Sequence, residues 1–434
     1  MQQATELTPE QLIIRELSER IVAAQKPIQI LDAIKWTPEV KEDFFKKKGK
    51  ALPAVDQAYY QNLPLRFDPE QKIQEFHDIE REINRKLGQF SGIGAIMLRT
   101  CREYRVAIQL LKSRGTPDFY ETSVDLYGSA SEAFYPGGPI LNDLSDLLSD
   151  TLHMLRSDMS SEKDEKKYTS AEAVEMLNER LAQYFHHKED QVAVLESDNI
   201  VSDAAAGARY IKMRQDVMFS ERDIQLLEVH EGWVHVGTSI NGANQPICTF
   251  LGKGAPSCTI TQEGLAVITE IFTFSSYPDR VQRITNRIKA IHMAEQGADF
   301  LEVFHHFTET MGVPENDAYS LTARIFRGST PKNGPFTKDL SYAKGFLLIY
   351  NYIRLAVQMG LSHYIPTLFV GKLRLEDIQI LNHLVEEGIV SAPRYVPPQF
   401  KDLAALSSWM CFSLFLNRVD LKKLAENYKQ ILHH

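Results

Sequence analysis

The sequence has few cysteines, and none of them stands in a pairing pattern. Cys101, Cys248, Cys258 and Cys411 are scattered along the chain, and no two of them form a CxxC motif. Disulfide frameworks and zinc ribbons are built from regularly spaced cysteine pairs. Both classes of protein are therefore excluded.

Hydrophobic runs of membrane-spanning length are absent as well. The longest apolar stretch lies near Gly345–Tyr350, whereas a transmembrane helix needs about 18 apolar residues or more. The first residues also lack the basic and apolar segments of a secretory signal. We therefore expect a cytoplasmic protein with no membrane partner.

Positive charge is not in excess. The 434 residues include 48 lysines and arginines against 57 aspartates and glutamates, which gives a formal net charge of −9. Nucleic acids reward a net positive surface, so we expect no nucleic-acid partner, although a local basic groove is compatible with this balance. The remaining composition, 44% hydrophobic and 24% charged residues, is that of an ordinary globular protein.

Apolar periodicity predicts a mostly α-helical α+β fold with a small β element in the middle of the chain. Spacings of three and four residues predict helices, and short runs rich in Val, Ile and Tyr predict strands. The helices are expected at about residues 6–25, 69–87, 92–113, 169–185, 221–235 and 261–274, and the strands at 192–195 and 209–214. A loop is expected at 237–257, and the pattern is helical again from about residue 280.

One polar and charged stretch divides the chain. Residues 157–167 contain no aromatic side chain and are typical of a linker or a solvent-exposed loop. The sequence therefore predicts an N-terminal helical region over residues 1–156 and a second region over residues 168–434, which has a helical C-terminal part.

Residues 230–235 read HEGWVH, an HExxxH motif. In the common HExxH motif the two histidines share one helical face and bind one zinc ion. A spacing of five residues places the side chains of His230 and His235 about 140° apart on a regular α-helix. Both can bind one metal only if the helix accommodates an extra residue, as a π-bulge does, and Gly232 is a suitable place for it. The alternative is two unrelated histidines on one helix.

A metal site needs a third ligand, and Glu263 in the segment TQEGLA at 261–266 is a candidate. It begins the next predicted helix, after a connection that suits an antiparallel helix pair. Glu270 lies seven residues later on the same helical face, where it is suited to accept a hydrogen bond from a ligand histidine. The alternative for Glu263 is a first-turn acid that the helix dipole favours.

These motifs resemble a known family. The segment SERDIQLL, the HExxxH motif and TQEGLA together resemble the bacterial QEGLA-motif proteins, often labelled flavohemoglobin expression-modulating. Those proteins are similar to the microtubule-associated tyrosine carboxypeptidases, which remove the C-terminal tyrosine of α-tubulin. Segments at 34–45, 126–129 and 324–339 extend the resemblance over most of the chain.

The resemblance implies a zinc ion held by His230, His235 and Glu263, with Glu231 as the general base. It also implies a zincin-like core within residues 168–434, where two central helices carry the ligands beside a small mixed or antiparallel sheet. The N-terminal region would then complete the substrate groove. A site of two histidines and one glutamate keeps a position open for water. Zinc lowers the pKa of that water, and Glu231 can accept its proton.

Four cations and one phenol are the candidate substrate-binding groups, because a terminal carboxylate is best bound by basic side chains. Lys212 and Arg214 share one face of the predicted strand at 209–214, which would bind substrate along a sheet edge. Arg327, Lys338 and Tyr342 surround a Gly- and Pro-rich loop, and Tyr342 could donate a hydrogen bond to an oxyanion. The alternatives are a solvated strand face and a surface loop with structural ion pairs.

The sequence thus predicts a zinc metallocarboxypeptidase that acts on the C-terminus of a protein or peptide, with an aromatic terminal residue suggested by the resemblance. Two alternatives stay open. A regulatory protein could retain the metal without catalysis, although a structural zinc site usually has four protein ligands and no adjacent acid. An endopeptidase or aminopeptidase would lack a cation that binds a terminal carboxylate.

Overall fold

The computed structural model describes residues 7–88, 90–155, 164–198, 200 and 202–432, and every structural statement below refers to these residues. Most of the expected linker at 157–167 lies outside the described residues. The division of the chain into two regions therefore stays a prediction. The described chain is mostly helical and contains one small mixed sheet, as the α+β assignment expects.

The helices and strands are numbered in chain order. In the first part of the chain they are α1 (Pro9–Gln25), α2 (Ile30–Ile34), α3 (Pro38–Lys46), α4 (Gln57–Gln61), α5 (Pro69–Leu87), α6 (Gly92–Lys112), α7 (Asp118–Tyr127), α8 (Leu141–Met154) and α9 (Ser170–Tyr184). In the second part they are β1 (Ala193–Ser197), β2 (Ala204–Ala206), β3 (Tyr210–Arg214), α10 (Glu221–Leu227), α11 (Gly237–Ala243), α12 (Cys258–Phe272), α13 (Pro278–Glu295), α14 (Phe300–His305), α15 (Glu315–Phe326), α16 (Ser341–Gln358), α17 (Ile378–Glu386), α18 (Pro398–Lys401), α19 (Leu403–Leu416) and α20 (Leu421–Leu432).

Short helical segments of other pitch connect these elements. Two π-helices span Glu228–Val236 and His306–Thr310, and 3₁₀ turns span Lys188–Asp190, Thr249–Gly252, Thr337–Leu340, Ser362–Phe369 and Leu375–Asp377. Helices α5 and α6 begin where the sequence predicts them, and α1 begins at Pro9, inside its predicted range; a side chain caps each first turn. Thr8 caps α1, Asp68 caps α5 and Ser91 caps α6.

The sheet has the strand order β1-β3-β2, with β1 parallel and β2 antiparallel to β3. The prediction that 209–214 is an edge strand is therefore wrong, because β3 is the central strand and a neighbour occupies each of its edges. The alanine-rich strand β2, which the sequence reading missed, is an edge strand. The buried face of the sheet, with Val194, Ile211 and Met213, packs on α9.

A continuous helix follows the sheet. It consists of α10, the π-helix Glu228–Val236 and α11. The expected loop at 237–257 is therefore wrong over 237–243. Helix continues there because the buried Asn241 amide donates hydrogen bonds to the carbonyls of Phe369 and Tyr395. At Gly242 an added Cβ would lie 2.2 Å from the Leu251 carbonyl oxygen, so only glycine fits.

Helices α12 and α16 cross at the centre of the molecule. Gly264 and Gly345 meet at the crossing, and a Cβ on Gly264 would lie 2.3 Å from the Gly345 carbonyl carbon. The largest hydrophobic cluster surrounds this pair and combines side chains from α1, α5 and α6 with side chains from α12 and α16. In the described chain, no helix combines the length and the apolarity that crossing a membrane would require.

Candidate metal centre

The π-helix brings the two histidines of the HExxxH motif to one side of the helix. In this segment, hydrogen bonds join residues five apart, so His230 and His235 stand almost one above the other. Their Nε2 atoms are 3.2 Å apart. The extra residue is accommodated beside α9, where a Cβ on Gly232 would lie 2.4 Å from the Leu181 Cδ2 atom. The next residue, Trp233, stacks on Tyr184.

Glu263 of α12 completes a cluster of three ligand-type atoms. Its Oε2 atom lies 3.3 Å from His230 Nε2 and 3.5 Å from His235 Nε2. Ligands bound tetrahedrally at zinc distances lie about 3.3 Å from one another. The Glu263 Oε2 atom is buried and has no hydrogen-bond partner among the described residues. The cluster therefore fits a tetrahedral metal ion in size and in donor type.

Glu270, about two turns further along α12, lies behind the first histidine. His230 Nδ1 donates to Glu270 Oε1 over 2.6 Å, and Arg280 of α13 donates to both oxygens of the same carboxylate, over 2.8 Å and 3.0 Å. The bond at Nδ1 leaves Nε2 of His230 as the atom that can bind a metal. The burial of Glu270 would raise its pKa, but Arg280 and His230 outweigh burial and lower it to about 2.

The electrostatics of the cluster favour a cation. Burial by itself would lower the pKa of His230, but the neighbouring carboxylates of Glu263 and Glu270 outweigh it and raise the pKa to about 9. Burial would likewise raise the pKa of Glu263, but the two histidines hold it well below its ordinary value. A histidine must be neutral to bind a metal, so a metal ion at this cluster would replace the proton that the carboxylates hold on His230.

Glu231 is held by the sheet. Its Oε2 atom accepts a hydrogen bond of 3.0 Å from the backbone N–H of Ala206 in β2. Glu231 follows His230 in sequence, and this hydrogen bond holds its carboxylate against the edge strand of the sheet. A carboxylate that is held at one oxygen keeps the other oxygen free to accept a proton.

Tyr342 and Lys338 border the cluster. The Tyr342 ring stacks on the ring of His230, with 6.2 Å between centroids, and Lys338 Nζ lies 3.9 Å from Glu263 Oε1. Burial lowers the pKa of Lys338, and the charge of Glu263 opposes that effect. The sequence singled out both residues, and the structure brings both to the three ligand-type atoms.

A cluster of arginines lies behind Tyr342. The Arg287 guanidinium is 4.4 Å from the Tyr342 ring centre, and Arg324 forms a two-point ion pair with Asp339. Arg327 stands over the ring of Phe336, and burial lowers its pKa to about 10. Some N–H groups of these arginines donate no hydrogen bond to the described residues. They are Nε of Arg327 and both Nε and Nη1 of Arg287, which are buried.

The two strand residues have other surroundings. Arg214 pairs with Asp203 at 3.5 Å, and Lys212 lies over the ring of Tyr210. Both stand on the half-exposed face of β3, opposite the buried face that packs on α9. The structure therefore groups Arg327, Lys338 and Tyr342 near the cluster, and it gives Lys212 and Arg214 partners on the sheet surface.

Several residues at the site escaped the sequence reading. Arg280 and Arg287 lie on α13, a helix with no recognisable motif, and nothing in the sequence signals that they face α12 and Tyr342. Lys372 was also missed; burial lowers its pKa, and the charges of Glu263 and Glu231 oppose that shift. These three residues lie 10 to 109 positions from Glu263 or Glu270 along the chain. Proximity in sequence to the two motifs therefore does not reveal them.

Comparison with known proteins identifies the family. No curated protein gives a significant match to this chain. The family model described as microtubule-associated tyrosine carboxypeptidase matches residues 42–418, which is most of the chain and includes every element of the candidate metal centre. The chain therefore belongs to the microtubule-associated tyrosine carboxypeptidase family.

Proposed function

We propose that this protein is a zinc-dependent carboxypeptidase that removes a C-terminal residue, with tyrosine preferred, from a protein or peptide. One observation carries the proposal. Three ligand-type atoms of His230, His235 and Glu263 lie 3.2 to 3.5 Å apart, and Glu231 directly follows the first of these residues in the same π-helix. The description of the family supports the choice of carboxypeptidase and of tyrosine.

The proposed site is zincin-like, with the ligands on two packed helices and a small sheet alongside. Zinc bound there would polarise the scissile carbonyl and lower the pKa of the attacking water. Glu231 accepts the proton of that water and passes it to the leaving amine. The Tyr342 hydroxyl donates a hydrogen bond to the oxyanion that develops on the carbonyl. The Glu270–Arg280 pair keeps His230 in the tautomer that exposes Nε2.

The cations behind Tyr342 support exopeptidase action. Arg287, Arg324 and Arg327 lie near the carboxylate of Asp339, and Lys338 lies near those of Asp339 and Glu263, so these four cations outnumber the carboxylates that act on them among the described residues. The unpartnered nitrogens of Arg287 and Arg327 can donate to a terminal carboxylate. A cluster of cations beside the scissile bond would select the last residue of a chain and reject a chain that continues or ends in an amide.

The test is a cleavage assay on matched peptides. Purified protein with zinc is incubated with one acidic peptide that ends in tyrosine, with the same peptide that ends in tyrosine amide, and with the same peptide that ends in alanine. We expect mass spectrometry to show loss of one tyrosine from the first peptide and little reaction with the other two. The variant Arg327→Gln should raise KM far more than it lowers kcat.

Other products point to the alternatives. Internal cleavage, or equal cleavage of the acid and the amide, would indicate an endopeptidase. Release of the N-terminal residue would indicate an aminopeptidase. If the protein binds one zinc per chain and cleaves none of a broad set of C-termini, the regulatory alternative replaces this proposal.

A further inference from the structure

The C-terminal helices expose an unusually apolar surface. We define the C-terminal apolar surface by six side chains, Trp409, Phe412, Phe415 and Leu416 of α19 and Leu421 and Ile431 of α20. Each of them is between 54% and 76% exposed. Single exposed hydrophobic residues are normal, but six within 23 residues form a patch that needs an explanation.

Helix α19 is apolar on both sides. Its inner side packs on α16 through Leu406 and Met410, and the hydroxyls of Ser413 and Tyr350 are 2.5 Å apart. Its outer side carries Trp409, Phe412 and Leu416. The helix has no charged residue between Leu403 and Leu416. A helix that is hydrophobic all round is normally buried all round, so the outer side of α19 lacks a partner within the described chain.

Helix α20 follows α19 after a short connection and has an exposed apolar side of its own. Leu421 and Ile431 lie on one side of it, with the half-exposed Tyr428 between them, and lysines occupy the other side. Helix α20 begins after residue 418, where the match to the family ends. The apolar side of an amphipathic helix is stable in water only when it is covered.

The size of the surface suits a protein interface. Aromatic and aliphatic side chains with these exposed fractions present roughly 800 Å² of apolar area, which is about the share of each partner in a standard interface. The composition is also that of the centre of an interface, with aromatic residues enriched and charges depleted. Monomers rarely expose a contiguous apolar patch of this size.

We infer that a second copy of this chain covers the C-terminal apolar surface, so that the protein forms a twofold symmetric dimer through α19 and α20. A twofold axis brings each face against itself, and the uncharged outer face of α19 therefore creates no contact between like charges. Asp420 and Lys423, beside this surface, carry opposite charges. Asp420 of one copy can therefore pair with Lys423 of the other across the twofold axis. A net charge of −9 disfavours an anionic lipid surface as the occupant.

Sedimentation velocity on the full chain tests the inference. We expect wild-type protein to sediment as a dimer at about 100 µM and to dissociate on dilution toward about 1 µM or below. The variants Phe412→Glu and Ile431→Glu each place a charge on the surface and should weaken dimerisation at least tenfold. The control Leu12→Glu changes a side chain on α1 that is 52% exposed, and it should leave the dimer intact.

Circular dichroism and zinc content should be the same for all three variants, because the substituted side chains are exposed and none of them belongs to the metal centre. A wild-type protein that stays monomeric at every concentration overturns the inference, as does a dimer that neither Phe412→Glu nor Ile431→Glu weakens. If the monomer instead sediments with vesicles that contain phosphatidylglycerol, and Phe412→Glu abolishes this, the occupant is a lipid surface. None of these outcomes depends on peptidase activity.

Discussion

Glu231 differs from the other carboxylates of the site in its partners. Glu263 faces the two histidines, and Glu270 is saturated by His230 and Arg280, whereas Glu231 accepts one backbone hydrogen bond from Ala206. Glu231 does not belong to the three-atom cluster, so its second oxygen can accept a proton without displacing a ligand-type contact.

We therefore predict that Glu231→Gln keeps the metal and lowers kcat by about 10²- to 10⁴-fold, the range expected for loss of a general base. Metal content by mass spectrometry and kcat on the tyrosine peptide provide the two measurements. Glu228→Gln is the matched control, because Glu228 belongs to the same π-helix and pairs with Arg180 at 3.4 Å. If Glu231→Gln loses the metal while Glu228→Gln keeps it, Glu231 is a ligand and not the base.

Glu270 acts through His230. Its removal frees the Nδ1 position of the ring and leaves the buried Arg280 without its carboxylate. Glu270→Gln should therefore lower zinc affinity about 10- to 100-fold, while saturating zinc still gives one ion per chain. Competition with a chromogenic chelator measures the affinity. An affinity equal to that of the wild type would show that Glu270 has no positioning role.

At the scale of elements, the crossing of α12 and α16 positions Glu263. The crossing is close because Gly264 and Gly345 have no Cβ, and Gly264 is the immediate neighbour of Glu263. The two glycines let the backbones of α12 and α16 approach more closely than side chains would allow. The location of the third ligand-type atom is thus set by two glycines that do no chemistry.

Gly264→Ala should force the two helices apart, because its Cβ would meet backbone atoms that cannot rotate away. We expect a loss of about 1–3 kcal/mol in the free energy of unfolding, measured by urea denaturation, and weaker zinc binding. Gly237→Ala is the control: its Cβ would meet its nearest neighbours at 3.7 Å, an ordinary contact, so the free energy should stay the same or rise. Equal stability of the two variants would contradict a tight crossing.

At the scale of the molecule, Asp190 joins segments that are far apart in sequence. Its buried carboxylate accepts hydrogen bonds from Asn244 at the end of α11, from Arg394 and Tyr395 near the C-terminus, and from Arg209 beside β3. Burial would raise the pKa of Asp190, but the hydrogen bonds from Asn244, Arg394 and Tyr395 outweigh it and lower the pKa.

This pKa shift gives a prediction with a definite sign. A carboxyl whose pKa is lower in the folded state stabilises the protein above its unfolded pKa of about 3.9, and that contribution is lost as the pH falls through the folded value. Asp190→Asn should therefore lower the free energy of unfolding by about 2 kcal/mol at pH 7. The difference in the free energy of unfolding between Asp190→Asn and the wild type should become smaller below about pH 4. Urea denaturation from pH 7 to pH 3 measures both, and a difference that is constant with pH would contradict the prediction.

The division into residues 1–156 and 168–434 remains a prediction at this scale. The largest cluster of buried side chains contains Ile14 and Leu17 from the first region and Leu265 and Met410 from the second. The Ser18 hydroxyl also accepts a hydrogen bond from the backbone N–H of Phe250. Whether the second region folds without the first can be measured on the separate fragment by circular dichroism.

The sequence by itself determined what depends on neighbours along the chain. Helix starts follow from caps such as Thr8 and Asp68, and the three ligand-type residues stand in two short motifs. The need for a π-helix also follows from local spacing, because two histidines five residues apart cannot share a face of an α-helix. The structure contains that π-helix.

Tertiary structure decided what depends on segments that are distant in sequence. Strand β2 exists because three alanines pair with β3, and that pairing makes β3 central and β2 the edge beside Glu231. The helix over 237–243 persists because Asn241 finds backbone partners more than 120 residues away. The arginines behind Tyr342 likewise meet only when α13 and α15 pack together. The physical reason is common to all three: a hydrogen bond or ion pair depends on distance in space, and sequence spacing fixes that distance only within a few turns of one helix or strand.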